Sequence, residues 1–381
     1  MPNSSKVALV YCENYQIEEV RQAVNSGLTL LGGAEQFAQA QEKILVKVNM
    51  LVGDSPEKCI GPHPLVFQAV LEQFLAAGAH VSFGDSPGFG NPRAAARHAG
   101  LLQVAEHMGV PLDDFETPVT LSFNEGNLIK QFTLAKAVVD SDGLISLSKL
   151  KSHALTRLTG AIKNQFGCIP GLLKAEFHAR MPNADLFSQM LVDLNLLVKP
   201  RLFIMDGIIA MEGNGPRNGT PRPMHVLLFS TDPVALDAAV CRMVGLDENL
   251  VEPIHYGNDF GLGSSRNVTL LGEPLSRFFT PDFQVNRSKS STSGSQRSNS
   301  RSFMNKYVTP RPFIMAEKCN HCGRCEEVCP AQPKAMTWTN GMQQAPVYNY
   351  DNCIRCYCCQ ELCPHEAITV KVPPLGRLVR R

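Results

Sequence analysis

The sequence predicts two folded units: a large α/β domain, with a mainly parallel sheet and flanking helices, and a small cysteine-rich α+β domain. Three observations lead to this prediction. Short apolar runs alternate with segments of helical periodicity up to about residue 272. Residues 286–302 then contain no aliphatic or aromatic side chain and cannot pack into a core. Beyond them lie nine of the 13 cysteines.

The apolar runs and helical periods give the elements of the large domain in order. Strands are predicted at 7–11, 44–49, 80–84, 143–149, 201–206, 226–230 and 267–271, and helices at 65–77, 91–108, 185–197 and 232–244. Asn91 before Pro92, and Asp232 before Pro233, are predicted helix caps because a side-chain oxygen followed by proline suits the start of a helix.

Two cysteine runs share one spacing. Each has gaps of two, two and three residues and ends in Cys-Pro: Cys319, Cys322, Cys325 and Cys329, then Cys353, Cys356, Cys359 and Cys363. In bacterial two-cluster ferredoxins such runs bind two clusters, and the fourth cysteine of each run ligates the other cluster. Zinc sites instead use cysteine pairs separated by a longer loop. We therefore predict two [4Fe-4S] clusters.

The same pattern assigns the ligands. One cluster is predicted on Cys319, Cys322, Cys325 and Cys363, and the other on Cys353, Cys356, Cys359 and Cys329. Cys358, between two ligands, is interpreted as a spare thiol. Asn340-Gly341, between the extended segments 337–339 and 345–348, predicts a hairpin because both residues tolerate positive φ.

These features divide the chain into four parts. We predict an α/β domain at 1–285, a disordered Ser/Arg-rich linker at 286–309, a ferredoxin-like two-cluster domain at 310–373 and a basic tail at 374–381. The positive charges of the linker leave contact with RNA or an acidic partner as an alternative to a solvated tether.

Composition limits the partners. The 36 basic and 35 acidic side chains give a net charge of +1, so no bulk field attracts nucleic acid or an anionic membrane. The first 20 residues lack the pattern of a signal peptide, and no apolar stretch is long enough to span a bilayer. With cysteines in odd number and oxygen-sensitive cluster ligands, the expected compartment is a reducing cytoplasm.

Polar residues follow the predicted strands of the large domain, including Asn49, Asp85, Lys149 and Asp206. In open α/β sheets, ligands bind beyond the carboxyl ends of the strands. Each of these residues also suits a turn or a helix cap, but their number favours one shared crevice.

The stretch 148–153 carries the most suggestive charges. Lys149, Lys151 and His153 are spaced two apart and share one face if the strand continues. Two ammonium groups on one face repel each other, so an anion between them is expected. Lys163, Asn164, Lys174 and His178 follow on a glycine-punctuated path, and a solvated basic surface is the alternative.

Two further motifs have open interpretations. Residues 212–216 (Glu-Gly-Asn-Gly-Pro) must form a shaped loop, and Glu212 with Asp206 suits either a metal or acid–base chemistry, or plain turns. His63, between two prolines, is either a turn residue or a site histidine. The spacings of a dinucleotide-binding fingerprint and of a P-loop are both missing from the sequence.

Taken together, these motifs resemble the domain of unknown function 362 family, whose members often carry a two-cluster ferredoxin module. The likeness rests on Lys47-Val-Asn49, His63-Pro64, the segments 84–88, 150–153, 160–164 and 212–216, Asp206-Gly207, and the segment 230–233 with Asp237. It covers about residues 5–272 and, through the module, nearly the whole chain. The resemblance implies an iron–sulfur protein of microbial redox metabolism and implies no substrate.

The leading interpretation is an iron–sulfur oxidoreductase that relays electrons from a soluble donor protein to an anionic small molecule, a substrate or a further cofactor, in the α/β domain. Lys149, Lys151, Lys163 and Lys174 would bind the anion, and His153 or His178 would supply a proton. Two alternatives stay open: an electron-transfer or maturation partner without its own turnover, and a non-redox enzyme with structural clusters. Neither a membrane nor a nucleic acid is an expected partner.

Overall fold

An eight-stranded sheet is the largest element of the computed structural model, which describes residues 4–288, 307–339 and 341–379. The strands before residue 288 are β1 Ser5–Tyr11, β2 Lys43–Lys47, β3 His80–Gly84, β4 Pro118–Ser122, β5 Gln131–Ala135, β6 Gly143–His153, β7 Arg157–Leu158, β8 Leu202–Glu212, β9 Thr220–Ser230 and β10 Val268–Gly272. Strands β4 and β5 form a separate antiparallel hairpin.

The sheet is mainly parallel. Its order is β10-β1-β9-β8-β6-β2-β3, with β7 paired to the end of β6. Strand β9 runs antiparallel to both β1 and β8, and the other neighbours along this path are parallel. The predicted α/β class is thus confirmed, and all seven predicted strands lie in the sheet. The β4–β5 hairpin was missed because β4 alternates exposed with half-buried residues and has no apolar run.

Helices cover both faces of the sheet. They are α1 Ile17–Leu30, α2 Pro64–Ala76, α3 Pro92–His98, α4 Leu101–Met108, α5 Lys136–Asp140, α6 Gly160–Asn164, α7 Leu173–Arg180, α8 Ala184–Val198, α9 Pro233–Met243 and α10 Glu252–Asp259. Side chains alternate along each strand, so Val7 and Leu9 enter the core that includes α8 and α9, whereas Ala8 enters the core that includes α1 and α2.

Both predicted helix caps are present, but one of the predicted helices is divided into two in the structure. The side chain of Asn91 accepts a hydrogen bond from the Ala94 amide, and Asp232 accepts from the Val234 and Ala235 amides. The helix predicted at 91–108 breaks at Gly100, which has a φ of +72°. A side chain there would be strained by its backbone conformation and would crowd Pro64, so the glycine permits the sharp change between α3 and α4.

The C-terminal part forms two small antiparallel sheets. Strand β11 Arg311–Ile314 pairs with β14 Ile368–Lys371, and β12 Met336–Thr337 pairs with β13 Val347–Tyr348. The helices are α11 Arg324–Glu327, α12 Cys358–Glu361 and α13 Pro374–Val379. The tail predicted at 374–381 is therefore helical up to Val379, and none of the helices in the described ranges is both long and apolar enough to cross a bilayer.

Three predictions fall partly on residues beyond the described ranges, and one of them is the tail, whose residues 380 and 381 are not described. From residue 289 to 306 the predicted linker is not described, and neither is Asn340 of the predicted hairpin turn. The pairing of β12 with β13 is the pairing expected for that hairpin.

Candidate redox site between the two parts of the chain

Two small cavities in the C-terminal part contain the eight cysteines of the repeated spacing. One cavity is lined by Cys319, Cys322, Cys325 and Cys363, here the first cysteine set, and the other by Cys329, Cys353, Cys356 and Cys359, the second cysteine set. Each set takes three thiols from one run and the fourth from the other, as ferredoxin cubanes require. Four sulfur donors around one cavity suit an iron–sulfur cluster, so the residues present fit this group.

The backbone repeats the duplication seen in the cysteine spacing. His321 and Gly323 flank Cys322 with φ values of 62° and 75°, and Arg355 and Tyr357 flank Cys356 with φ values of 62° and 65°. Left-handed residues turn the chain sharply. The two equivalent turns therefore bring closely spaced cysteines of each run to one cavity.

The two sets differ in their access to solvent. Cys322 of the first set is exposed, whereas Cys329, Cys359 and the neighbouring Cys358 are buried. In the second set the hydroxyl of Tyr348 donates a hydrogen bond to Cys359 Sγ over 3.2 Å. The sets are otherwise alike, each with two buried cysteines, so the exposed Cys322 is what gives the first set its access to solvent.

A much larger cavity, of about 490 Å³, lies between the two parts of the chain, and we call it the interdomain cavity. Ser86, Lys163, Lys174 and His178 line it from the α/β domain. Cys329, Cys358 and Glu361 line it from the C-terminal part. Because Cys329 also belongs to the second cysteine set, a cluster on that set would border this cavity.

Among the described residues, none of the three lysines of the cavity wall forms an ion pair with a carboxylate, and Lys334 donates only to the Glu327 and Cys329 carbonyls. Lys174 Nζ donates to Ser86 Oγ and to the Ile169 carbonyl, each over 2.7 Å. Among the described residues Lys163 makes neither a hydrogen bond nor an ion pair, and its Nζ lies 5.8 Å from the centre of the Phe166 ring. Burial lowers the pKa of Lys163, and it lowers the pKa of Lys174 to about 7.

The two histidines proposed as proton donors are both buried. Burial lowers the pKa of His153 and of His178 to about 4 in each case, so both rings are neutral at pH 7. His178 stacks on Phe187 at 4.5 Å, and its Nδ1 has no hydrogen-bond partner within the described structure. A neutral histidine with so low a pKa is a poor proton donor near neutrality.

His153 instead joins the two parts of the chain. Its Nδ1 accepts hydrogen bonds from the Leu155 and Thr156 amides, which leaves the ring proton on Nε2. That Nε2 lies 2.9 Å from Glu361 Oε1. Burial alone would raise the pKa of Glu361, but His153 and Lys163 lower it to about 2. The pair is therefore a close contact between a neutral imidazole and a buried carboxylate.

Lys149 has an internal counter-ion and does not line the interdomain cavity. Its Nζ donates to Asp206 Oδ2 over 2.8 Å and to the Tyr15 hydroxyl over 2.9 Å. Asp206 also accepts from the His63 amide at 2.9 Å, and the His63 ring stacks on Tyr15 at 3.8 Å. The expected anion beside Lys149 is thus a carboxylate of the protein itself, and Asp206 lies in this network rather than in the cavity wall.

Lys151 is also satisfied internally. Its Nζ donates to Asn49 Oδ1 over 2.7 Å and to the Ile60 carbonyl over 2.6 Å. Asp85 pairs with Lys47 at 2.9 Å, and the Lys47 ammonium also contacts Asn164. A side chain at Gly167 would overlap the Asp85 carboxylate and crowd Lys47, so only glycine fits beside this pair.

The predicted site residues therefore separate into two groups. Six line the interdomain cavity: Asn49, Asp85, Lys163, Asn164, Lys174 and His178. The sequence predicted one crevice for all of these residues. That prediction is wrong for Lys149, Lys151, His153 and Asp206, which make buried contacts and do not line the interdomain cavity. Glu361 and Tyr348 carry no sequence pattern that would have identified them.

The loop at 212–216 holds the C-terminal part in place. Gln360 Nε2 donates to the Asn214 and Gly215 carbonyls over 2.9 and 3.2 Å, and Arg217 donates to the Leu362 carbonyl over 3.3 Å. Glu212, considered for a metal or for acid–base chemistry, accepts a hydrogen bond from the Gln284 amide over 2.8 Å. This glycine-rich loop thus contacts α12, which carries Cys358 and Cys359.

Its α/β sheet and paired cysteine cavities place this chain among iron–sulfur proteins with a ferredoxin-type module. The model of a 4Fe-4S dicluster domain matches residues 306–367. Residues 44–242 match the domain of unknown function 362, and the chain belongs to that family, which confirms the resemblance seen in the sequence.

One protein is similar to this chain in sequence, and two solved structures are similar to it in fold. A thylakoid-associated protein of Synechocystis sp. is 34% identical over 257 residues, which cover 67% of this chain and 79% of that protein. Among solved structures, the lactate racemase apoprotein from Thermoanaerobacterium thermosaccharolyticum matches 62% of this chain with a TM-score of 0.41 and 9% sequence identity. A protein from Thermotoga maritima matches 58% of this chain with a TM-score of 0.34 and 14% sequence identity. The match spans 56% and 57% of those two chains.

Proposed function

We propose that this chain is an iron–sulfur oxidoreductase that passes electrons from a soluble partner protein to an anionic substrate or cofactor in the interdomain cavity. One observation carries the proposal: Cys329 belongs to the second cysteine set and is also a wall residue of that cavity. When bound, four-iron clusters on the two sets supply one-electron transfer.

The chain's own residues give this transfer a direction through the protein. Cys322 exposes the first set, which makes that side the place where a partner approaches. The second set adjoins the cavity, and the contacts of Gln360 and Glu361 hold α12 against the α/β domain. Electrons therefore enter at the surface and leave toward the cavity.

The cavity lysines bind the anion and supply protons in this proposal. Lys163 and Lys174 line the same cavity as Cys329, and within the described part of the chain neither forms an ion pair with a carboxylate. Lys174, with a pKa of about 7, both gives up and regains a proton near neutrality. His153 and His178 position neighbouring groups and do not titrate in this range.

The exposure of Cys322 also supports the alternative of an electron-transfer or maturation partner without its own turnover, because a docking protein needs surface access to one cluster. This alternative leaves the interdomain cavity without a use. The oxidoreductase proposal uses both the exposed set and the cavity.

Anaerobic purification followed by analysis of small molecules tests the proposal. The wild-type protein should release a bound anion on denaturation, and the double variant Lys163→Gln/Lys174→Gln should release much less. Added to reduced, reductant-free protein, the same compound should reoxidise the clusters. A compound that binds but leaves the clusters reduced would show that this chain does not transfer electrons to it.

A further inference from the structure

We infer that the ligand of the interdomain cavity is an organic anion with two parts: a carboxylate or phosphate head bound between Lys163 and Lys174, and an apolar ring-bearing body. The inference rests on the proposed function for the role of the ligand, but its binding follows from the cavity wall alone. The argument concerns first the head and then the body.

The buried charges at the head end do not balance among the residues that the structure describes. Lys174 has two neutral acceptors, and within the described residues Lys163 has none. Asp85 pairs with Lys47 at 2.9 Å, and Glu361, beside the neutral His153, partly offsets the charge of Lys163. The other two carboxylates of the wall lie near arginines, Glu176 at 3.7 Å from Arg180 and Glu327 at 3.5 Å from Arg324. Lys47, Lys163 and Lys174 together therefore carry one more charge than Asp85 and Glu361. A buried cation without a counter-ion is costly, and an anionic ligand removes that cost.

Neutral groups beside these lysines are also available to a ligand. Ser86 Oγ accepts hydrogen bonds from the Gly171 amide and from Lys174, so its own proton is left to donate. His178 is 5% exposed and lines the cavity, and its Nδ1 has no partner within the described residues. Buried polar atoms are nearly always paired, so this nitrogen indicates a missing ligand atom.

Most of the remaining wall is apolar, and Glu176, Glu327, Gln332 and Lys334 are its other charged or polar members from these two parts of the chain. Leu51, Phe89, Phe166 and Leu362 contribute to its wall. Its volume of about 490 Å³ is far larger than an inorganic anion and falls in the range of roughly 300–1,000 Å³ that is typical of sites for small organic ligands. An inorganic phosphate would leave these side chains without contacts, whereas a ring-bearing body would pack against them.

Binding of matched probes to the anaerobically reconstituted protein tests this inference. The probes are 2-naphthoate and 2-naphthyl phosphate, the neutral 2-naphthylmethanol, and inorganic sulfate. Both naphthyl anions should bind one per chain, at least about tenfold more tightly than the alcohol or sulfate. The two anions together show whether the head site prefers carboxylate or phosphate.

Lys163→Gln is the decisive variant because, among the described residues, this lysine makes no hydrogen bond or ion pair that its loss would break. It should weaken binding of 2-naphthoate about tenfold, and the cluster absorbance and the thermal unfolding transition measured beside it show whether the variant is folded. Lys6→Gln, at an exposed lysine of β1, is the matched control and should leave binding unchanged.

Three results would overturn the inference: equal affinity for 2-naphthoate and 2-naphthylmethanol, equal affinity for 2-naphthoate and sulfate, or unchanged binding in Lys163→Gln. These outcomes are independent of electron transfer. Reducible clusters without anion binding would contradict the inference alone. Anion binding to a protein whose clusters accept no electrons would contradict the proposed function alone.

Discussion

His153 Nε2 and Glu361 Oε1 lie 2.9 Å apart, and both side chains are buried. His153 is the last residue of β6, and Glu361 is the last residue of α12, the helix that carries Cys359. The bond therefore connects the α/β domain directly to the second cysteine set.

Removal of this carboxylate should loosen the C-terminal part. In Glu361→Ala the buried His153 ring loses the carboxylate that lies 2.9 Å from its Nε2, and leaving a buried polar group without its partner costs about 1–3 kcal/mol. The free energy of unfolding, measured by urea denaturation of the cluster-loaded protein, should fall by that amount. Glu327→Ala is the control because Glu327 holds the equivalent position in α11 but is exposed. Equal effects of the two substitutions would mean that the bond to His153 contributes nothing.

The two cysteine sets predict the metal content. Anaerobic reconstitution should give about eight iron and eight sulfide per chain, as expected for two four-iron clusters. Cys322→Ala and Cys356→Ala should each halve the iron content because they remove one ligand from different sets, while Cys358→Ala should leave it unchanged. Iron and sulfide analysis with electron paramagnetic resonance measures this. A cluster lost from Cys358→Ala would show that the ligand assignment is wrong.

Tyr348 should raise the reduction potential of the cluster on the second set. Its hydroxyl donates to Cys359 Sγ over 3.2 Å, and such hydrogen bonds stabilise the more negative, reduced cluster. Tyr348→Phe should lower that potential by on the order of 50 mV, close to a tenfold change in a one-electron equilibrium. In Tyr350→Phe both potentials should stay unchanged, because the Tyr350 hydroxyl donates to the Pro312 carbonyl instead. Redox titration of the wild type and both variants measures these reduction potentials. Identical shifts of the potential in Tyr348→Phe and Tyr350→Phe would rule out the hydrogen bond to Cys359 as the cause.

Anion binding in the interdomain cavity should weaken as the pH rises above about 7. Burial lowers the pKa of Lys174 to about 7, so its ammonium is present below that pH and is lost above it. The carboxylate of 2-naphthoate stays ionised throughout, so the change in affinity reports the protein. Calorimetric titration between pH 6 and 9 should show that the affinity of the wild type for 2-naphthoate declines as the pH rises. The decline in affinity should be much smaller in Lys174→Gln. A decline of equal size in the variant would assign it to another group.

Sequence alone predicted the parts of the fold whose signal is local. The apolar runs of the sheet strands and the cysteine spacing need only neighbouring residues to be recognised. The partners of Lys149 and Lys151 could not be predicted in this way. Lys149 meets Asp206 because β6 and β8 pair in the register that places those two residues opposite each other, and only the assembled sheet sets that register.

The interdomain cavity was beyond prediction for a related reason. Its wall combines Ser86, Lys163 and Lys174 with Cys329 and Glu361, which are more than 100 residues away along the chain. The spacing of the cysteines showed that clusters are bound, but it contained no information on which face of the α/β domain they approach.

Electron transfer into the interdomain cavity is tested most directly with a redox-active organic anion. Anthraquinone-2-sulfonate takes up two electrons and two protons, and two reduced clusters in one chain supply the electrons. The rate at which it reoxidises the reduced protein should be measured by anaerobic stopped flow. It should saturate with quinone concentration in the wild type and in Lys6→Gln, and it should become slow and linear in Lys163→Gln/Lys174→Gln. A linear rate that is the same in all three proteins would mean that electrons leave through the exposed Cys322 side, and it would contradict the account.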